Sequence, residues 1–245
     1  EGTPYFGRLC SAEGVVSALR GRKSAEELRR IRRAVAETDA LYEELCRHLA
    51  PGMTEKEVAA KLAGLAAAKG FEPAWSPEHC PSVFTGVPRE GQAHTGPTDR
   101  RIERGDVLNM DFGLKIDGYC SDLQRTWYVC REGETEAPPE VRKGFQTVAD
   151  SIAAAAAAAK PGTAGWVVDD VARQLIVSRG YPEYPHALGH QVGRSAHDGG
   201  VLLCPQWERY GKVPWQTIEE GQVFTLEPRL PIEGYGVATV EEMAV

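Results

Sequence analysis

Val107-Leu-Asn-Met-Asp111-Phe-Gly-Leu-Lys-Ile116, then Asp117-Gly118, then Tyr119-Cys-Ser-Asp122-Leu-Gln124-Arg-Thr-Trp-Tyr-Val129 is the stretch that organises this chain. Two strand-like runs around Asp-Gly predict a hairpin closed by a two-residue turn. Facing residues then have numbers that add to 235, so Ile116 faces Tyr119 and Asp111 faces Gln124. Residues opposite each other, and residues two apart, share a sheet face. Asp111 and Asp122 are therefore diagonal neighbours on one face. Carboxylates that close inside an apolar hairpin repel each other unless a cation joins them. The bland reading is a wet face on which both aspartates are solvated. Met110, Phe112, Leu114 and Ile116 oppose it.

Outward from the hairpin, the helices are well marked. Ser24-Ala-Glu-Glu27 and Thr54-Glu-Lys-Glu57 are capping boxes, in which the hydroxyl accepts from a free backbone N–H and the glutamate reaches back. The first predicts a helix over 25–49. Leu28, Ile31, Val35, Tyr42, Leu45 and Leu49 fall on one face, with Thr38 the polar exception. Pro51-Gly52 stops it, and the second box opens a helix ending near Lys69-Gly70. Two further helices are predicted, over about 140–159 and about 166–178. Pro51-Gly52, Val58, Leu65 and Gly70-Phe71 recur as Pro161-Gly162, Val168, Leu175 and Gly180-Tyr181, each offset by 110 residues. A long helix precedes each copy and strand-like sequence follows it. Two related helix-helix-strand halves about a pseudo-twofold axis follow, making an α+β domain with a central cleft. Strands over 222–227 and 237–245 complete the second half.

Composition narrows the function. The 245 residues suffice for one large domain. With 35 acidic against 28 basic residues the net charge is −7, the wrong sign for wrapping nucleic acid. No run approaches the ~20 apolar residues of a membrane span; the longest, 152–159, is mostly alanine and reads as helix. The polar opening Glu1-Gly-Thr-Pro4 is unlike a secretion signal. Six dispersed cysteines, none in a Cys-x-x-Cys pair, argue against a zinc ribbon or disulfide framework. They point to mostly buried free thiols in a reducing, cytoplasmic setting.

More candidate ligands lie downstream. His186-Ala-Leu-Gly-His190 sets two histidines four apart, and His197 follows. Glu227 lies in Val223-Phe-Thr-Leu-Glu227-Pro, and Glu241-Glu242 lie between Ala-Thr-Val and Met-Ala-Val. Carboxylates among such neighbours need partners. A lone histidine is more often a hydrogen-bonded core residue than a ligand. Taken with Asp111 and Asp122, these residues offer carboxylates and imidazole from both halves. An oxygen-rich set with one imidazole suits Mn²⁺, Co²⁺, Fe²⁺ or Zn²⁺. So many carboxylates suit two ions, about 3.5–4 Å apart.

The ordered set Asp111, Asp122, His190, Glu227 and Glu241 resembles that of the pita-bread metallopeptidases, the family of methionine aminopeptidase, aminopeptidase P and prolidase. Arg101-Ile-Glu-Arg-Gly-Asp-Val-Leu-Asn-Met-Asp111-Phe-Gly113 and Gly118-Tyr-Cys-Ser-Asp122-Leu-Gln-Arg-Thr126 resemble its first ligand block. Gly189-His190-Gln-Val-Gly193, followed by His197-Asp198, resembles its histidine block, and Thr225-Leu-Glu227-Pro228 its Thr-x-Glu-Pro block. Leu19-Arg-Gly-Arg-Lys-Ser-Ala-Glu-Glu-Leu-Arg-Arg-Ile31 resembles the linker into the catalytic domain of the prolidase and aminopeptidase P branch.

The resemblance implies the pita-bread fold, with two pseudo-symmetric halves around a central curved antiparallel sheet. Residues 1–23 would be a linker and 24–245 the catalytic domain, an N-terminal domain lying outside this chain. Two divalent ions (Mn, Co, Zn or Fe) are implied. Asp111 would chelate one, Asp122 and Glu241 would bridge both, and His190 and Glu227 would complete the second. Glu227 would also serve as general base. His94 would hydrogen-bond the substrate, His197 would steady the tetrahedral intermediate, and His186 would stand near the site. His48 and His79 are left to structure. The implied activity is hydrolysis of short peptides, at Xaa-Pro bonds in this branch, by an enzyme for which a homodimer is the expected assembly. Two other outcomes within the fold are hydrolysis of a non-peptide C–N bond, as in creatinase and ectoine-hydrolase relatives, and a non-catalytic binding module, a class marked by lost ligands. Departures from the family pattern gather around the substrate. Gln191 replaces the middle glycine of Gly-His-Gly, His197-Asp198-Gly-Gly lacks the usual proline, Arg229 follows Glu227-Pro228, and Thr239 stands where proline-specific members carry arginine.

Overall fold

The structure, a computed structural model, describes residues 4–88 and 96–245, so His94 lies outside the described residues. The helices are α1 (Glu13–Gly21), α2 (Ala25–Cys46), α3 (Glu55–Ala68), α4 (Pro139–Ala158) and α5 (Gly165–Ser178). Both capping boxes form, at Ser24 with Glu27 and at Thr54 with Glu57. Thr38 fits the apolar face of α2 because its hydroxyl donates to the Ala34 carbonyl and pairs with Ser121. α2 ends three residues before Leu49, which packs on the same core from the following turn. α1 has no counterpart in the sequence reading. Val15, Val16 and Leu19 fall on one face of it, and that face is exposed.

The strands are β1 (Glu72–Pro73), β2 (Ser82–Thr85), β3 (Val107–Phe112), β4 (Leu114–Ile116), β5 (Tyr119–Cys120), β6 (Leu123–Tyr128), β7 (Phe224–Leu226), β8 (Arg229–Ile232), β9 (Gly236–Thr239) and β10 (Glu242–Ala244). The hairpin keeps the expected register, with Ile116 opposite Tyr119 and Asp111 opposite Gln124. Asp117 and Gly118 both take positive φ, 52° and 80°, as this turn requires. The ladder is interrupted at Gly113, where a Cβ would stand 2.1 Å from the Ser121 carbonyl oxygen. That close approach divides the hairpin into β3/β6 and β4/β5. The strand expected over 237–245 is two strands parted at Val240-Glu241, and β8 was not anticipated.

The two halves are related as the repeat predicts. The Gly52 N–H donates to Ile102 and the Ile102 N–H to Met53; the Gly162 N–H donates to Ile218 and the Ile218 N–H to Thr163. The repeat also runs further than the helix pairs. Ile102-Glu-Arg-Gly-Asp-Val107 returns as Ile218-Glu-Glu-Gly-Gln-Val223, and Asp111 and Glu227 each follow four residues after the valine. α2 and α3 cover a core built around Leu41, Leu62, Met110 and Phe112. α4 and α5 cover a second built around Val148, Ile176, Leu188 and Phe224.

Between these cores the sheet is joined across both halves. β2 pairs with β3, and β3 with β6. Gln124 of β6 bridges Glu241, and β10 pairs with β7. Residues 188–192 then pair with 223–227 through Thr225 N to His190 O, Glu227 N to Leu188 O and Val192 N to Val223 O. Of the six free cysteines, Cys80, Cys120 and Cys204 are buried, Cys130 is half-buried, and Cys10 and Cys46 are exposed. "Mostly buried" therefore holds for half of them. Among the described residues no helix is long and apolar enough to cross a membrane.

Gly189 sets the spacing of the last pair, because a Cβ there would lie 1.8 Å from the Thr225 carbonyl oxygen. Gly189→Ala should cost about 3 kcal/mol or more, since neither backbone has room to move without losing its ladder. Urea denaturation of the two proteins checks this, and equal midpoints would contradict the tight pairing.

Candidate metal centre

Register places the candidate ligands in one row. Asp111 stands opposite Gln124, and Gln124 opposite Glu241. Glu242 stands opposite Leu226, so one residue further along the ladder sets Glu241 across from Glu227. Directly opposed residues share a face, which puts Asp111, Gln124, Glu241 and Glu227 side by side. Asp122 precedes Gln124 by two. His190 pairs with Thr225, which precedes Glu227 by two. All five expected ligands thus occupy one face by period-two logic alone.

Side-chain geometry agrees. Asp122, His190 and Glu241 offer donor atoms within 4.8 Å of one another. His190 Nε2 lies 3.4 Å from Glu227 Oε1 and 3.8 Å from Asp122 Oδ2. His197 stands edge-on to His190, with ring centroids 4.1 Å apart. His186 sits on the segment leading to His190, with Nδ1 2.8 Å from the Ala187 carbonyl and its ring against Tyr184. His48 and His79 are exposed.

The electrostatics are severe. Burial pushes the Asp111 carboxyl up to about 7. Burial, with Asp111 beside it, pushes Glu227 up to about 8. Burial and the neighbouring carboxylates drive Asp122 and Glu241 well above the usual range. Burial and the nearby His197 lower His190 to about 3, which keeps its imidazole neutral, the form that ligates. Among the described residues no lysine or arginine forms an ion pair with any of the four acids; the contacts at this distance are those of His190.

The residues fit divalent ions on their own terms. Asp111 Oδ1 and Glu241 Oε2 are buried with no hydrogen-bond partner. Buried anionic oxygens without partners are costly, and a divalent cation supplies what they lack. Carboxylate oxygens with one neutral imidazole are the donors that borderline divalent ions take.

Supporting residues complete the site. Gln124 Nε2 donates to Glu227 Oε2 at 3.4 Å, while its Oε1 accepts from the Thr239 hydroxyl. The Thr225 hydroxyl accepts from the His190 N–H at 3.1 Å. Asp169 and Arg173 form a buried pair on α5; Asp169 accepts from Leu188 N, and Arg173 donates to the Tyr184 and His186 carbonyls. That pair anchors the segment carrying His186 and His190. In the sequence Gln124 served only as a register marker and Thr225 only as the head of the Thr-x-Glu-Pro block, and nothing there singled out Asp169 or Arg173. The Ile-Glu-x-Gly-x-Val repeat would have matched Asn109 to Thr225 and Asp111 to Glu227.

The raised acids make folding take up protons between about pH 4 and pH 8, so metal-free protein should lose stability as pH rises through that window. Thermal unfolding of chelator-treated protein should show a falling Tm from pH 5 to 8, and Glu227→Gln should flatten the slope. Parallel Tm profiles for the two proteins would contradict the carboxylate account.

Metallopeptidase family M24 matches residues 29–245. The Xaa-Pro dipeptidase of Pyrococcus furiosus is 31% identical over 232 residues, covering 94% of this chain and 62% of that protein. The Xaa-Pro dipeptidase of Pyrococcus horikoshii is 30% identical, covering 94% and 61%. Among solved structures, the X-Pro aminopeptidase from Thermotoga maritima superposes with a TM-score of 0.81 at 30% identity, over 94% of this chain and 61% of that one. The prolidase from Pyrococcus furiosus gives 0.80 at 30%, over 94% and 64%. The chain spans about three fifths of the length of these relatives. The two-half architecture is the pita-bread fold. With the ligand row, the matched span and these likenesses in agreement, the chain belongs to metallopeptidase family M24.

Proposed function

We propose that this chain is the catalytic part, residues 24–245 with 1–23 leading in, of a metal-dependent peptidase that cleaves short peptides at Xaa-Pro bonds. The observation carrying this is the row of five donors with two buried, partnerless carboxylate oxygens. The relatives named Xaa-Pro dipeptidase and X-Pro aminopeptidase support the substrate class. Asp111, Asp122, His190, Glu227 and Glu241 would together hold two divalent ions. Bound there, Mn²⁺, Co²⁺, Zn²⁺ or Fe²⁺ would polarise the scissile carbonyl and lower the pKa of water toward neutrality.

The chain's own groups do the rest. Glu227, its Oε2 steadied by Gln124 and its Oε1 near His190, would take a proton from the attacking water and pass it to the departing amine nitrogen. His197, beside His190 at the exposed rim, would donate a hydrogen bond to the oxygen that gains charge. His94 is proposed to hydrogen-bond the substrate, and His186 to stand near the site. The Arg229 guanidinium acts on Glu227, and the Thr239 hydroxyl donates to Gln124. We place the protein in the cytoplasm, on its free thiols, and infer a homodimer from the branch it resembles.

Turnover of Ala-Pro, a Xaa-Pro tripeptide, a Met-Ala peptide and acetylated diaminobutyrate, with Mn²⁺ or Co²⁺ and with chelator, tests this. Metal-dependent cleavage before proline is expected. Asp122→Ala and His190→Ala should abolish turnover while the fold survives, and His197→Ala should lower kcat about 10²-fold. Cleavage of the non-peptide amide alone would replace the substrate class. Full activity in Asp122→Ala with unchanged metal content would overturn the assignment.

A further inference from the structure

The segment before α2 lies outside the span matched by the family, yet its charged end reaches the site. Lys23 is 7% exposed and its ammonium lies 3.4 Å from Asp198 Oδ2. Arg20, at the end of α1, donates to Asp198 Oδ1. Asp198 is itself buried and is the immediate neighbour of His197. Its N–H donates to the Gln191 carbonyl at 2.9 Å, and the Gly193 N–H donates to the Ser195 carbonyl at 3.0 Å. These two bonds close the loop that returns His197 onto His190. Gly193 leaves the room this needs, because a Cβ there would stand 2.2 Å from Asp198 Oδ2. The lead-in segment is tied down independently by the Lys23 N–H donating to Gly221, and by Gly21 lying against Gln191 and Gln222. Gly221 and Gln222 stand just before Val223 and β7, the strand that leads to Glu227.

An exposed imidazole has no reason to keep one orientation on its own. Here its chain neighbour is clamped by two cations from a segment fixed to the same sheet. We propose that Asp198, held by Arg20 and Lys23, is the positioning residue for His197, so that the segment 20–23 is part of the active-site scaffold. The catalytic half of this proposal rests on the peptidase reading above; the structural half does not. A displaced His197 would weaken a contact made in the transition state more than one made with bound substrate. The signature is a fall in kcat with KM nearly constant.

Arg20 is the gentlest place to test this, since its side chain is 37% exposed and truncation leaves the Lys23–Asp198 pair in place. Histidine ring resonances of the full, metal-free chain are compared in ¹H–¹³C spectra, with His197 assigned from His197→Gln. The edge-on contact with His190 gives His197 a ring-current shift. Arg20→Gln should move the His197 resonance toward that of exposed His48, Asp198→Asn should move it further, and Arg20→Lys should restore most of the shift. In metal-loaded protein Arg20→Gln should lower kcat about tenfold, with KM within about twofold and metal content unchanged. An unmoved His197 resonance in folded Arg20→Gln and Asp198→Asn overturns the proposal. A moved resonance in a protein that cleaves no peptide supports the positioning while removing the peptidase reading, so the two failures are distinguishable.

Discussion

Four carboxylates held side by side on one face of a buried sheet repel one another, and the rest of this structure answers that repulsion. Asp111, Glu241 and Glu227 stand in one row with Gln124 between the first two, and Asp122 lies two residues before Gln124, in strands whose neighbours are about 4.8 Å apart. At such separations in a poorly solvated cleft each unneutralised acid opposes the next. The fold keeps them there through backbone ladders anchored in two independent cores, one on each side of the row. The arrangement costs stability when empty and is rewarded when divalent charge is present, so ligand binding and rigidity of the sheet are one equilibrium.

Much of this was legible in the sequence, for physical reasons. Capping boxes and Pro-Gly stops are local, and each marked a helix start or stop to within a few residues. The Asp-Gly turn fixes a register, and period-two alternation then puts Asp111 and Asp122 on one face. What escaped was non-local or unpatterned. α1 is only nine residues long, opens without a side-chain cap, and turns its apolar stripe outward, so no start signal marked it. The last strand is parted at Val240 because its two pieces take different partners, β9 pairing with β8 and β10 with β7, while Glu241 bridges to Gln124 of the other half, a pairing no local window contains. Asp169 and Arg173 read as an ordinary charged pair four apart on a helix; their value lies in the carbonyls of Tyr184 and His186, which they hold from a distance.

The pseudo-twofold axis also explains the division of labour in the site. Asp111 and Glu227 occupy equivalent positions after Ile-Glu-x-Gly-x-Val, one from each half, facing each other across the row. The imidazole has no such twin. His190 comes from a segment paired to the second half's strand, where the first half presents β2. Symmetry supplies a nearly balanced bed of acids, and the departure from symmetry supplies the neutral nitrogen and, through His197, a donor at the rim.

The departures from the family pattern are coupled to one another rather than scattered. Gln191 puts a buried side chain where the Gly-His-Gly pattern has none, and that side chain fills the space beside two glycines. A Cβ at Gly200 would lie 2.6 Å from Gln191 Nε2, and one at Gly21 would lie 3.4 Å from Gln191 Oε1. A larger residue at 191 therefore calls for the absence of one at 200, and φ of 78° and 76° at Gly199 and Gly200 suits glycine there. The Gly-Gly that takes the place of a proline-containing turn is thus the volume and backbone complement of Gln191. Both changes act on the loop that ends at His197, which connects the composition of that loop to the position of the imidazole at the mouth of the site.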